Sequence, residues 1–130
     1  MGYSMNKELH SKFEKLNCPV KATLEVIGGK YKVMIIYHLL IQGTLRYNEL
    51  QKLIPEATPR MLSTRLRELE DDGIVHREVY PEVPPKTEYT LTELGQSLTL
   101  VMDAFRQWGE KNLNVWGDSK IEPPHESANE

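Results

Sequence analysis

Apolar residues along this chain recur mostly at three- and four-residue spacing, and only one stretch switches to alternation. That pattern predicts a mostly helical domain carrying one small β-hairpin. Met5, Leu9, Phe13 and Leu16 keep helical spacing and predict a short amphipathic helix ahead of Cys18. Cys18-Pro19 then reads as a cap followed by proline at the first helical position. The helix it starts carries Val20, Leu24, Val26 and Ile27 and stops at Gly28-Gly29. Residues 30–42 form a strongly apolar helix ended by Gly43, and apolar coverage this wide marks the central buried helix. Residues 44–47 suit one short strand pairing. Residues 48–54 make a helix of two turns with Leu50, Leu53 and Ile54 inward, broken by Pro55.

Thr58-Pro59 restarts the helical pattern: threonine accepts a backbone N–H as cap, and the fixed φ of proline suits the first turn. This helix is expected to run to Asp72 and stop at Gly73. Residues 74–80 and 87–91 alternate as strands, joined by 81–86, whose prolines forbid ladder bonds. Thr90-Leu91-Thr92-Glu93 fits a capping box for a long last helix. In that helix Leu94, Leu98, Val101, Phe105 and Trp108 step by 4, 3, 4 and 3, a heptad-like seam. From Gly117 onward a disordered acidic tail is expected. The fold class that follows is mainly α with a small β-hairpin (α+β), a winged helix-turn-helix flanked by N- and C-terminal helices. Its parts are an N-terminal helix in 1–17, a core in 18–91, a C-terminal helix in 92–116 and the tail in 117–130.

Charge changes the picture twice. A net of −3 argues against a simple basic nucleic-acid binder. Residues 30–67, however, hold seven Lys and Arg against two Glu, whereas residues 68–130 hold five against fourteen acids. A basic middle can present a positive face to phosphate even in an acidic chain. The helix over 58–72 sits in that middle. Met61, Leu62, Leu66 and Leu69 fall on one side of it, and Arg60, Ser63, Thr64 and Arg67 on the other. Short hydroxyls flanked by arginines can hydrogen-bond base edges or phosphates in a major groove. The N-terminal dipole at Thr58 and Pro59 favours phosphate. The acids Glu68, Glu70, Asp71 and Asp72 lie at the far end. Lys86, at the hairpin tip, is a candidate wing contact, with Arg46 and Lys52 as weaker phosphate contacts. Double-stranded DNA is thus the expected partner. A solvated face on an ordinary amphipathic helix is the blander account, and a protein-interaction module without DNA binding is the rival function.

Other chemistry finds little support. His10, His38, His76 and His125 show no metal-ligand spacing with Cys18 or the acids, and His38 reads as a core residue. Gly28-Gly29 is a helix stop, not a phosphate cradle. No catalytic residue, metal or cofactor is expected. The longest apolar run, 33–41, is too short to cross a bilayer, so no membrane association is expected. A polar start predicts no signal peptide, and a single cysteine suits a reducing compartment, so a cytoplasmic setting follows. Cys18 sits at a helix start near Lys15 and Lys21, where dipole and charge favour the thiolate. It is a candidate thiol sensor for a small electrophile or oxidant, or else a small residue packed under the first helix.

The strings CPVKATLEVIGGKYKVMIIYHLL and RYNELQKLIPEATPRMLSTRLRELEDDGIVHREVYPEVPPKTEYTLTELG, with the later FRQWGE, resemble the HxlR-type regulators, a branch of the MarR-like winged-helix proteins. The resemblance spans Cys18 to about Glu110. Tyr31 stands where tryptophan is usual in the family, and Thr58 where serine is common. The resemblance implies a homodimer joined by its terminal helices, with two wings flanking the recognition helices and repression as the commoner mode. It also implies sensing of quinones, aldehydes or oxidants at the position of Cys18.

The seam through Leu98, Val101, Phe105 and Trp108 is hard to hide within so small a domain, and pairing with a second copy, helped by Met5, Leu9 and Phe13, would cover it. Packing on the chain's own core is the alternative. Two-fold symmetry would match a pseudo-palindromic operator. Analytical ultracentrifugation at micromolar concentration is expected to give a dimer, and a monomer would remove this element.

Overall fold

Three leucines spaced along one helix organise the core. Leu62, Leu66 and Leu69 are 0–2% exposed and meet Ile35, Ile36 and Leu39 of the preceding long helix, Leu50, Ile54 and Ala57, and Val75 and Leu91 of the sheet in one apolar interior. The computed structural model describes residues 17–115. Its elements are α1 (Pro19–Ile27), α2 (Lys32–Gln42), β1 (Leu45–Arg46), α3 (Tyr47–Leu53), α4 (Pro59–Asp71), β2 (Val75–Tyr80), β3 (Lys86–Leu91), α5 (Glu93–Gln96) and α6 (Thr99–Leu113). A division after Ser97 separates the compact unit holding α1 to α5 from the one holding α6.

The sheet is antiparallel in the order β1-β3-β2. Leu45 pairs with Tyr89 across β1 and β3, and Val75 with Leu91 across β2 and β3. This is the expected hairpin with one short added strand. Alternation along β2 and β3 turns Val75, Tyr89 and Leu91 toward the helices. The turn from α4 into β2 bonds Gly73 N–H to the Glu70 carbonyl and Ile74 N–H to the Leu69 carbonyl, with Gly73 at φ 77. A left-handed residue at this place lets the chain reverse within two residues.

Three sequence expectations shift. The buried helix begins at Lys32, not residue 30, because Tyr31 caps it at φ 77. The last helix does not start from a Thr90 capping box. Thr90 is committed to β3 opposite His76, so Thr92 caps instead, accepting the Gly95 N–H. The expected single long helix is broken at Ser97 and Leu98 into α5 and α6, so the seam does not run through one continuous helix. Within α6, Val101 is half-buried while Phe105 and Trp108 are 53% and 61% exposed. Met5, Leu9 and Phe13 lie outside the described residues, as does the expected tail. Among the described residues no helix is long and apolar enough to cross a membrane.

His38 is buried in α2, as its apolar neighbours implied. Burial holds its pKa below the ordinary value, and the Glu56 charge offsets only part of that. The folded state therefore prefers neutral imidazole, while the unfolded chain takes up a proton near pH 6.5, histidine's ordinary value. Stability should be flat above neutrality and should fall as the pH drops through about 6.5 toward the depressed folded value. Urea unfolding between pH 8 and 5 measures this. His38→Gln should flatten the decline, and an undiminished decline would assign the titration to another group.

Candidate nucleic-acid interface

Two short helices and the turn between them are held by side-chain bonds to backbone. Glu49 accepts the Arg46 N–H at 2.7 Å and caps α3. Gln51 Nε2 donates to the Ala57 carbonyl at 2.7 Å, which fixes the turn, while Ala57 itself is buried. Thr58 Oγ1 accepts the Met61 N–H at 3.1 Å, and Pro59 takes the first helical position, as the sequence implied. A cap of this kind contributes about 1 kcal/mol to the helix. Tyr47 joins the two helices: its hydroxyl donates to the Pro59 carbonyl at 2.9 Å and receives the Ser63 hydroxyl at 3.3 Å.

With Leu62, Leu66 and Leu69 anchored inward, the helical advance of about 100° per residue decides the rest of α4. Arg60 and Arg67 stand exposed on the far side, with Thr64 half-exposed between them. Thr58 and Pro59 are exposed at the N-terminus, and no acid occupies the first turn. Ser63 sits on the flank nearer α3, half-buried and engaged with Tyr47, so it is less free than the sequence implied. Met61 is likewise half-buried, not part of the sealed stripe.

The acids at the C-terminal end are mostly drawn off this face. Glu68 Oε1 lies 3.0 Å from Arg65 Nη1 and 3.3 Å from Lys32 Nζ. Partial burial would raise its pKa, but the hydrogen bonds and charges of Lys32 and Arg65 together hold the carboxyl below the usual range. Glu70 pairs with Arg77 at 3.2 Å, Asp72 is buried, and Asp71 stays exposed. The N-terminal half of α4 is therefore the positive half.

Lys86 differs from its expected place. It opens β3 opposite Tyr80 and is not at the tip, because residues 81–85 form the loop. Its ammonium lies 3.8 Å from both Glu82 and Glu88 and 4.5 Å from the centre of the Tyr80 ring. Arg46 and Lys52 are exposed on and beside α3. Two residues that the sequence did not single out also belong here. Tyr47 was hidden among ordinary helix residues. Arg77 lies on the strand face that looks toward α4, opposite Tyr89, and the two share an open cleft of about 460 Å³ with Ser63, Arg67, Glu70 and Asp71. Strand alternation placed Arg77 on the Val75 face, but only the register brings it beside Arg67. Cys18 caps α1 with its side chain exposed and making no capping bond.

A two-helix reader with a sealed apolar underside, an arginine-bearing outer face and an adjoining antiparallel wing defines a winged helix-turn-helix transcriptional regulator. Residues 26–116 match the HxlR-like helix-turn-helix family, and the chain belongs to that family. The HTH-type transcriptional regulator YybR of Bacillus subtilis is 54% identical over 101 residues, 78% of this chain and 80% of YybR. The redox regulator HypR in its oxidised form is 55% identical with a TM-score of 0.69, covering 73% of this chain and 97% of HypR. The reduced transcriptional regulator YodB of B. subtilis is 36% identical with a TM-score of 0.61, covering 78% of this chain and 98% of YodB. Like these relatives, this chain is a transcriptional regulator of the helix-turn-helix type.

Proposed function

We propose that this chain is a homodimeric repressor that reads a pseudo-palindromic operator in duplex DNA through α4 and responds to oxidants or electrophiles at Cys18. The carrying observation is the division of α4: leucines sealed beneath, and Arg60, Thr64 and Arg67 outward beside a capped N-terminus. Arg60 and Arg67 offer forked donors to guanine or phosphate, Ser63 and Thr64 offer short hydroxyls, and Thr58 and Pro59 present the positive helix end to the backbone. Lys86 is the wing contact. Reaching phosphate requires it to leave Glu82 and Glu88, so its share is the smaller. Exposed Phe105 and Trp108 on α6, with Leu98 and Val101 and with Met5, Leu9 and Phe13 of the N-terminal segment, supply the interface between copies. Half-sites about 34–36 Å apart would suit two such helices. A bacterial-type cytoplasm is the setting.

The thiol part of the proposal draws on HypR, a redox regulator solved in reduced and oxidised forms, and on the exposure of Cys18. With one cysteine per chain, a disulfide must join a second chain or a small thiol. A thiolate can add to the ring carbon of a quinone. Peroxide can instead convert it to a sulfenic acid, which condenses with a small thiol and releases water. The competing reading, a protein-interaction module, gains from the acidic wing, where Glu78 and Glu88 face each other across the strands.

Selection from a random duplex pool should recover a palindromic site whose affinity falls steeply with salt as counterions are released. On that duplex Arg67→Ala should weaken binding by about 1–3 kcal/mol, roughly 5- to 150-fold. No enrichment at low salt would favour the interaction module, and an unaffected Arg67→Ala variant would strike that residue from the interface. Alkylation with N-ethylmaleimide should release the wild-type protein from the duplex and leave Cys18→Ser bound. Resistance of the folded protein to alkylation, or equal release of both proteins, would end the sensor assignment.

A further inference from the structure

The link between α1 and α2 is short and unusually constrained. Gly28 donates its N–H to the Leu24 carbonyl at 2.7 Å, and a Cβ there would sit 2.3 Å from that same oxygen. Gly29 follows at φ 89, and Tyr31 at φ 77 holds a left-handed conformation that a side-chain-bearing residue seldom adopts. The last two residues of this strap and the first of α2 are tied to the helix-turn-helix. The Lys30 carbonyl accepts Arg65 Nε at 3.1 Å. The Tyr31 hydroxyl donates to the Glu56 carbonyl, in the turn before α4, at 3.1 Å. Lys32 Nζ meets Glu68 at 3.3 Å, and Arg65 Nη1 shares the same carboxylate oxygen. Arg65 thus bridges strap and recognition helix from the flank of α4 that faces away from Arg60 and Arg67.

The anchoring of α1 is the opposite. Only Ile27 of that helix is buried, while Val20 and Leu24 are 68% and 59% exposed. A lightly seated helix therefore runs into a strap whose last two residues, Lys30 and Tyr31, are bonded to the helix and turn beyond it. We infer that Tyr31 and Arg65 are positioning residues for the DNA-reading helix: they clasp the α1–α2 strap to the helix-turn-helix, so that displacement of α1 is carried to α4. This rests on the DNA-binding reading above only for its consequence in affinity; the clasp itself is a property of the free protein.

Tyr31→Phe removes one hydroxyl, and Arg65→Gln removes the bridge. Both should stay folded by circular dichroism, and if Arg65→Gln does not, Tyr31→Phe carries the test. In the free protein, amide exchange at Met61 and Leu62, whose N–H groups bond to Thr58, should rise roughly three- to tenfold, with β2 and β3 unchanged, as expected for local loss of one or two hydrogen bonds. Gly28→Ala, which pushes the strap off Leu24, should raise exchange at the same amides, and should add nothing further in the Arg65→Gln background. On the duplex recovered by selection, affinity should fall about three- to tenfold with an unchanged salt slope. Unaltered exchange at Met61 and Leu62, or equal acceleration at every amide, overturns the clasp. A salt slope lower by about one in Arg65→Gln makes that residue a phosphate ligand, which also overturns it. Should the wild-type protein bind no duplex, the DNA reading fails while the exchange result still decides the clasp.

Discussion

The pose of α4 depends on the burial of Leu62, Leu66 and Leu69. These side chains are almost wholly removed from solvent. Burying a leucine contributes about 1.5–3 kcal/mol, whereas an exposed ion pair contributes about 0–1. The apolar stripe therefore sets which side of α4 faces inward, and the polar bonds around it only refine the pose. Because helix geometry is rigid, fixing three leucines also fixes where Arg60, Thr64 and Arg67 must point.

The polar bonds refine that pose from three directions. Tyr47 holds the start of α4 to α3, Gln51 holds the turn, and Arg65 holds the inner flank to the strap at Lys30. Gln51 and Arg65 each satisfy a loop carbonyl that regular structure leaves open, while Tyr47 adds a second bond to the Pro59 carbonyl in the first turn of α4. The same helix carries four acids near its C-terminus, and the fold draws three of them away from the outer face: Glu68 toward Lys32 and Arg65, Glu70 toward Arg77, Asp72 into the interior. A chain of negative net charge can thereby keep a positive face on the N-terminal half of α4.

The wing shows the other side of that balance. Its lysine is held among glutamates and a tyrosine ring, while Arg77 at the wing base pairs with Glu70 and lines one cleft with Arg67. Positive charge near the reading helix is thus contributed from the root of the hairpin as well as from α4. Nearness of Glu70 to Arg77 keeps that arginine in place without burying it.

Periodicity and punctuation in the sequence determined the element order, the inward leucines, the Thr58-Pro59 start of α4, the hairpin and the burial of His38, because each follows from spacing or from the fixed backbone preferences of proline, glycine and threonine. Where neighbours in space compete, the sequence was silent or misleading. Thr90 matched a capping pattern, yet strand pairing claimed it and left Thr92 to cap. The seam from Leu94 to Trp108 looked continuous, yet the chain breaks at Ser97 and Leu98. Lys86 follows two prolines, as a tip residue would, yet the register puts it at the strand end. Ser63, Tyr47, Arg65 and Arg77 took their roles from partners 16, 12, 35 and 7 residues away. Local preference decides which backbone a segment adopts, but only the packed tertiary structure brings such distant partners within a hydrogen bond of one another.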